Sequence, residues 1–185
     1  MKSRYHSVLA IAGSDSGGGA GIQADIKTIS ACGCYAASAI TAITAQNTLG
    51  VQKVFGLPPH IVGSQIDSVL GDIGADAVKI GMLHDSELIL TIREKLLKWN
   101  IRNIIIDPVM VSTSGHRLIE ESAIDDLRSR LLPIAGIITP NLPEAEILLG
   151  RKIESQEQLP QCAYELSRMY STHKEADGST RKVSV

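Results

Sequence analysis

The sequence predicts an α/β fold built on a mostly parallel β-sheet. Short apolar runs rich in β-branched residues alternate along the chain with longer runs whose apolar residues recur at helical spacing. Aromatic residues make up only 3% of the 185 residues, whereas 44% are hydrophobic, so the core must be built mainly from Ile, Leu, Val and Ala. That composition is typical of parallel sheets covered by helices on both faces, with right-handed crossovers between the strands.

The N-terminal segment predicts one strand–helix unit. Residues 7–13 predict a buried strand, and a glycine-rich loop follows it. After the loop, Ile22, Ile26 and Ile29 have the spacing of one helix face. Gly33 fits the position just after the end of that helix, where a left-handed conformation is common.

The middle of the chain repeats this alternation, with one irregular segment. Residues 37–45 predict a second strand, and residues 51–57 predict a short hairpin or edge segment. Pro58 and Pro59 then begin a helix, because proline is favoured in the first helical turn. The apolar face of this helix comprises Val62, Ile66, Val69, Leu70 and Ile73.

The second half of the chain continues the pattern. Strands are predicted at 76–82, 103–110 and 136–141. Helices are predicted at 86–99, 122–132, 142–150 and 155–170. Residues 171–185 are polar and lose the helical periodicity, so a frayed or disordered tail is expected there, which leaves the last strand at an open sheet edge.

Composition excludes several classes of function. The formal net charge is −2 with both signs interspersed, and no basic patch is interleaved with aromatic residues, so nucleic acid is not an expected partner. No apolar run reaches the length of a membrane span, and the N-terminal apolar run is too short for a signal peptide. The cysteines, Cys32, Cys34 and Cys162, are odd in number and lack a C-x-x-C pair. A reducing, cytoplasmic location is therefore expected.

The glycine-rich stretch AGSDSGGGAG, residues 12–21, resembles a phosphate-binding loop at first sight. A dinucleotide fingerprint fails because Ile22 stands at the third glycine position, and a P-loop fails because Gly19 stands where the lysine is required. A tight strand–helix turn and a ligand-binding loop therefore both stay open as interpretations.

Polar side chains cluster near the carboxyl ends of the predicted strands, where open α/β sheets bind their ligands. Gln46 offers a donor and an acceptor to the edge of a heterocyclic amide or an aminopyrimidine. Asp107, Asn141 and Glu144 would converge at one edge, and oxygen ligands of this kind suit Mg²⁺, usually through waters. Asp25 admits two interpretations, a charge that complements the start of its helix or a ligand contact.

Six sequence blocks together resemble the hydroxymethylpyrimidine/phosphomethylpyrimidine kinases of thiamine biosynthesis, a family of the ribokinase-like superfamily. The blocks are AGSDSGGGAGIQADIKT (12–28), ITAITAQNTLGV (40–51), KIGML (79–83), DPVMVSTSG (107–115), RLLP (130–133) and ITPNLPEAEILLG (138–150). The resemblance runs from about Ser7 to Leu166, and the GGAGIQAD and AQNT blocks together are far more specific than either alone. It implies a three-layer α/β/α ribokinase-like fold, with an incomplete kinase domain at 1–170 and an aberrant tail at 171–185.

The resemblance also implies an activity and a set of site residues. The family phosphorylates 4-amino-5-hydroxymethyl-2-methylpyrimidine, and then its monophosphate, with MgATP. Substrate-binding roles would fall to Gly13, Ala20, Asp25, Gln46, Met82 and Val109. Asp107, Asn141 and Glu144 would organise Mg²⁺ and its waters. By analogy with the family, a homodimer is expected.

The resemblance does not extend to the family's catalytic block. The family carries a late Lys-Gly-Gly segment and a G-[ST]-G-x helix N-terminus that makes an anion hole and activates the substrate hydroxyl. Neither block occurs in these 185 residues, so no catalytic residue is assigned and little kinase activity is expected of this chain alone. Three alternatives stay open: a pyrimidine-binding remnant without turnover, an unstable truncation without a role, and a related pyridoxal-type kinase.

Overall fold

The computed structural model describes residues 5–110, 119–175 and 179–185. Residues 111–115 of the DPVMVSTSG block and residues 176–178 of the polar tail lie outside the described residues. The strands are β1 (Ser7–Ser14), β2 (Tyr35–Asn47), β3 (Gly50–Gly56), β4 (Ala77–Ile80), β5 (Ile104–Ile106) and β6 (Ile137–Ile138). The α-helices are α1 (Gly21–Ala31), α2 (Pro59–Asp72), α3 (Ser86–Lys98), α4 (Glu121–Asp126), α5 (Leu142–Leu149) and α6 (Leu159–Tyr170).

The strands form one sheet in the order β3-β2-β1-β4-β5-β6. Every neighbouring pair is parallel except β2 and β3, which are antiparallel. The predicted mostly parallel sheet is thus confirmed, and the segment predicted at 51–57 belongs, except for Leu57, to the edge strand β3. The chain winds outward in opposite directions from β1, so a crevice opens between the carboxyl ends of β1 and β4.

Helices cover both faces of the central strand β1. Leu9 and Ile11 belong to the larger buried cluster, which includes the apolar faces of α2 and α3. The alternating residues Ala10 and Ala12 pack instead against Ile22 of α1. Because successive side chains of a strand point to opposite faces, α1 covers one face of the sheet and α2 and α3 cover the other. The predicted three-layer arrangement is confirmed.

The helix predicted at 122–132 is divided in the structure. The α-helical part, α4, ends at Asp126, and the chain continues through a π-helical turn at Leu127–Leu131 into a 3₁₀ turn at Leu132–Ile134. The predicted apolar stripe is nevertheless buried, since Ala123, Leu127 and Leu131 are at most 3% exposed. No helix in the described part of the chain is long and apolar enough to cross a membrane.

The described part of the C-terminal tail differs from the disordered end that the sequence predicts. The Ser184 N–H donates to the main-chain oxygen of Gly136 at 2.9 Å, and the Ile138 N–H donates to that of Ser184 at 2.8 Å. Val183 is only 1% exposed. Residues 183–185 therefore cover the edge of β6, whose main-chain groups would otherwise lack a partner strand.

A partly exposed cluster of polar side chains joins α2 to α3. One oxygen of Asp67 accepts a hydrogen bond from the Lys95 ammonium at 2.6 Å. The other accepts from the Trp99 ring at 2.7 Å and from the Lys98 ammonium at 3.2 Å. These donors, led by Lys95, lower the pKa of Asp67 from 3.8 to about 2. The ionised carboxylate therefore stabilises the packing of the two helices.

Asp67→Asn should lower the free energy of unfolding at pH 7 by about 1–2 kcal/mol, because it replaces charge-assisted hydrogen bonds with weaker neutral ones. The loss is limited because solvent already screens part of the attraction in the wild-type protein. The folded-state pKa is depressed, so this contribution is present above pH 3.8 and is lost as the pH falls towards 2. Urea unfolding of both proteins across this range measures the difference. Asp72→Asn, at the exposed end of the same helix, is the matched control. An equal effect of both substitutions would contradict the assignment.

Candidate functional site

A cavity of about 390 Å³ opens at the carboxyl ends of the strands. Its wall comes from the ends of β1, β2, β4 and β5 and from the first turns of α1 and α5. All nine residues predicted for the site line it: Gly13, Ala20, Asp25, Gln46, Met82, Asp107, Val109, Asn141 and Glu144. The structure therefore brings the predicted pyrimidine-binding and magnesium-binding residues around one space.

The glycine-rich loop is closed by the carboxylate of Asp15. Its Oδ1 accepts a hydrogen bond from the Gly17 N–H at 2.8 Å. Its Oδ2 accepts from the Gly19 N–H at 2.9 Å and from the Ala20 N–H at 2.8 Å. Asp15 is only 5% exposed, and a charge so deeply buried requires partners of this kind.

These hydrogen bonds argue against phosphate binding by the main-chain amides of the loop. A phosphate at the start of a helix binds through free main-chain N–H groups. In the loop that leads into α1, the N–H groups of Gly17, Gly19 and Ala20 already donate to Asp15, and its negative charge would repel a phosphate. The loop is therefore a closed turn that shapes the cavity wall. Asp15 was not among the predicted site residues, although an aspartate followed by serine and glycine is a common turn signal.

Gly21 joins the loop to α1 at a close approach of two main-chain segments. Its φ is +55°, and a Cβ there would lie 2.3 Å from the main-chain oxygen of Gly13. Only glycine meets both conditions. The main chain of Gly13 also lies close to Met82, since a Cβ at Gly13 would come within 3.0 Å of Cε of that flexible side chain. Gly13 and Met82 both line the cavity.

Hydrogen bonds also fix the main chain of Gln46. The Ser16 hydroxyl donates to the main-chain oxygen of Gln46 at 2.7 Å and accepts from its N–H at 2.8 Å. The neighbouring Thr44 hydroxyl donates to the main-chain oxygen of Ser14 at 2.6 Å and lies 3.3 Å from Oε1 of Gln46. Because Ser16 satisfies its main chain, Gln46 can use its side-chain amide to bind a ligand.

Lys79 connects the two halves of the cavity. Its ammonium lies 3.0 Å from Oδ1 and 3.1 Å from Oδ2 of Asp25, and 3.7 Å from Oδ2 of Asp107. A lysine is rarely buried in a strand unless it is paired. Lys79 was not among the predicted site residues either. The only signal for it in the sequence is a single lysine within the apolar strand predicted at 76–82.

Asn141 and Glu144 form a capping box at the start of α5. Oδ1 of Asn141 accepts from the Glu144 N–H at 3.0 Å, and Oε2 of Glu144 accepts from the Asn141 N–H at 2.9 Å. The remaining oxygen of Glu144 accepts from the Met110 N–H at 3.4 Å. Glu144 is 3% exposed, and burial raises its pKa while these N–H donors oppose the shift.

Asp107 is the more accessible carboxylate on this side of the cavity, with a side chain that is 36% exposed. Burial raises its pKa, the Lys79 ammonium opposes the shift, and the charge of Asp25 adds to it. This donor set fits a hydrated Mg²⁺, because that ion keeps several waters and takes one or two carboxylates directly. Asn141 and Glu144 would act through those waters. Within the described ranges, no three His, Cys, Asp or Glu side chains are grouped for direct metal binding.

A larger cleft of about 570 Å³ lies beside α5 and α6. Its lining is mainly apolar and includes Leu142, Ile153 and Leu166. Of the predicted site residues, only Asn141 reaches it. The smaller cavity is therefore the better candidate, because it combines apolar walls with convergent charged and amide groups.

The model of the phosphomethylpyrimidine kinase family matches residues 15–174. The chain belongs to this family. Every predicted site residue except Gly13 falls within the matched span. The chain is 49% identical over 152 residues to the hydroxymethylpyrimidine/phosphomethylpyrimidine kinase of Escherichia coli, a match that covers 82% of this chain. It spans 57% of that relative's length, a little over half.

Solved structures show the same fold. A phosphomethylpyrimidine kinase from Clostridium difficile superposes with a TM-score of 0.82 at 49% identity, covering 89% of this chain and 71% of that one. The Staphylococcus aureus pyridoxal kinase in complex with AMP-PCP and pyridoxal gives a TM-score of 0.79 at 34% identity, covering 90% of this chain and 60% of that one. The ribokinase-like fold predicted from the sequence is thereby confirmed. The roles of the nine site residues stay predictions.

Gly21→Ala should lower the free energy of unfolding by about 3 kcal/mol or more, because a methyl group would meet a main-chain oxygen at a left-handed φ. Gly33→Ala is the control, since Gly33 has a φ of +76° but no described atom within 4 Å of the new Cβ. It should cost only the conformational strain, about 1–2 kcal/mol. Urea unfolding measures both, and equal losses would show that the approach to Gly13 is not what requires glycine.

Asp107→Asn should raise the free energy of unfolding at pH 7 by about 0.5 kcal/mol, a small gain because solvent screens the one-third-exposed carboxylate. The folded-state pKa is raised, so ionisation of Asp107 costs stability. The wild-type protein recovers this cost as the pH falls through the folded-state pKa, and the advantage of the variant should then vanish. Unfolding measured at several pH values, with the exposed Asp125→Asn as control, tests this. A variant that is less stable than wild type at pH 7 would contradict it.

Proposed function

We propose that this chain forms the substrate site of a kinase that phosphorylates 4-amino-5-hydroxymethyl-2-methylpyrimidine and its monophosphate in thiamine biosynthesis, with MgATP as the phosphate donor. One observation carries the proposal. In a chain of the phosphomethylpyrimidine kinase family, Gln46, Met82 and Asp107 converge on one cavity beside a loop whose amides are closed to phosphate.

The cavity suits a small heterocycle. Its volume of about 390 Å³ lies in the usual range for small-molecule sites. Met82 and Val109 supply the apolar part of the wall, and Gly13 lies beside Met82. The Gln46 amide can donate to a ring nitrogen and accept from an exocyclic amino group, which is the pattern of an aminopyrimidine edge.

The opposite side of the cavity suits the phosphate donor. Phosphoryl transfer depends mostly on positioning and on stabilising the charge of the transferred group. Asp107 would hold a hydrated Mg²⁺, and the capping box would keep Asn141 and Glu144 beside its waters. When bound, the ion would supply positive charge to the phosphates. The chain's own contribution is to orient the hydroxymethyl group of the pyrimidine towards this side.

The choice of pyrimidine over pyridoxal rests on the degree of likeness. The hydroxymethylpyrimidine/phosphomethylpyrimidine kinase of Escherichia coli is 49% identical to this chain, whereas the Staphylococcus aureus pyridoxal kinase is 34% identical. Both substrates are hydroxymethyl heterocycles, so pyridoxal belongs in the binding test as a competitor. The free thiols of Cys32, Cys34 and Cys162 favour a reducing compartment such as the cytoplasm. The homodimer stays a prediction.

The pyrimidine alcohol should bind to this chain, and Gln46→Ala should weaken that binding at least tenfold, or about 1.4 kcal/mol. Affinity is lost because the ring nitrogen and the amino group of the bound pyrimidine would no longer have a hydrogen-bonding partner at this position. Titration calorimetry is the measurement. It tests binding rather than turnover because the family's block for hydroxyl activation does not occur in this sequence.

Gln52→Ala is the matched control, since Gln52 is an exposed glutamine on β3 that bonds to Asn47 and Gly50 outside the cavity. It should leave the affinity unchanged. The proposal is wrong if the wild-type chain fails to bind the pyrimidine alcohol. Tighter binding of pyridoxal than of the pyrimidine would move the proposal to the pyridoxal-type kinases.

A further inference from the structure

Lys79 lies on the boundary between the two sets of site residues. On one side, its ammonium is 3.0 Å from Asp25, which belongs to the predicted pyrimidine pocket. On the other side it is 3.7 Å from Asp107, which belongs to the predicted magnesium set. A phosphoryl group that passes from one set to the other must cross this boundary. A phosphate already attached to the substrate would therefore lie close to Lys79.

The fold keeps space for this ammonium. A Cβ at Gly81 would lie 3.1 Å from Nζ of Lys79 and 3.0 Å from Cβ of Ala12, so a side chain there would displace the ammonium. The neighbours of Lys79 in β4, Val78 and Ile80, are fully buried. The Lys79 side chain is 25% exposed, which leaves its end accessible to a ligand.

The charge balance of the cavity gives Lys79 a distinctive position. Four carboxylates line the cavity, those of Asp15, Asp25, Asp107 and Glu144. Lys79 is the one Lys or Arg among the described lining residues. Asp15 and Glu144 have main-chain N–H partners, whereas Asp25 and Asp107 face the ammonium. A ligand that brings a phosphate into this cavity needs positive charge from the protein, and Lys79 is placed to provide it.

We propose that Lys79 is the phosphate-binding residue that lets one pocket accept both the pyrimidine alcohol and its monophosphate. With the neutral alcohol bound, the ammonium stays paired with Asp25 and Asp107. With the monophosphate bound, it turns to the phosphate oxygens. A lysine suits this exchange because its ammonium is a compact charge on a flexible stem. The inference rests on the proposed function, which supplies the two ligands.

The test compares dissociation constants for the two ligands in separate calorimetric titrations of the intact chain. Lys79→Met and Lys79→Gln should weaken binding of the monophosphate at least tenfold and binding of the alcohol less than threefold. Lys79→Arg should recover most of the monophosphate affinity. Lys27→Met is the control for overall charge, because Lys27 bonds to the main-chain oxygen of Gly18 outside the cavity lining.

Each outcome decides the inference. Equal weakening of both ligands would show that Lys79 only maintains the structure, and would overturn it. If the wild-type chain binds the alcohol but not the monophosphate, the proposed role of Lys79 is overturned, whereas the proposed pyrimidine site is supported. Binding of neither ligand would overturn the inference together with the proposed function.

A second measurement covers the case in which the uncharged variants fail to fold. Wild-type protein labelled with ¹⁵N at the lysine side chains is titrated with each ligand and followed by NMR. Lys79→Arg, which keeps the charge, identifies the Lys79 signal by its loss. A shift of that signal with the monophosphate but not with the alcohol supports the inference, and no difference between the ligands overturns it.

Discussion

The geometry of the candidate site depends first on the carboxylate of Asp15. Its three N–H partners fold the glycine-rich loop into a closed turn and leave those groups unavailable to phosphate. That turn brings Gly21 against the main chain of Gly13, which fixes where α1 begins. The position of α1 in turn carries Asp25 into the cavity. A single buried charge thus determines both the wall of the cavity and the position of the helix that faces it.

The partners of the four cavity carboxylates divide them into two kinds. Asp15 and Glu144 accept hydrogen bonds from main-chain N–H groups, and these contacts hold a loop and a helix start in place. Asp25 and Asp107 instead face the ammonium of Lys79, a partner that can move. The hydrogen bonds of the first pair are therefore fixed by the fold, whereas the second pair has a partner that can move when a ligand binds. A carboxylate cannot exchange main-chain partners without unfolding the turn that they belong to. It can exchange a side-chain partner while the fold stays intact.

Periodicity and strand-end chemistry predicted much of this structure, because both depend on residues close together in the sequence. The stripe of α1 and the polar residues Gln46 and Asp107 at strand ends are of this kind. Lys79 was missed because its partner Asp25 is 54 residues away, a distance that no spacing rule covers. The burial of Val183 was not predicted because a single valine in a polar segment shows neither helical nor strand periodicity. Its burial depends on the edge of β6, which exists only in the folded sheet.

The uneven distribution of charge also affects how ligands reach the cavity. The cavity lining has a formal charge of −3, whereas the whole chain has only −2, so the negative field is concentrated at the crevice between β1 and β4. A low-dielectric cleft focuses such a field and draws cations into it. Under the proposed function, a nucleotide or a phosphorylated pyrimidine would approach faster when it is paired with a divalent cation than when it is alone. The concentration of that cation would then influence the rate at which the ligand associates.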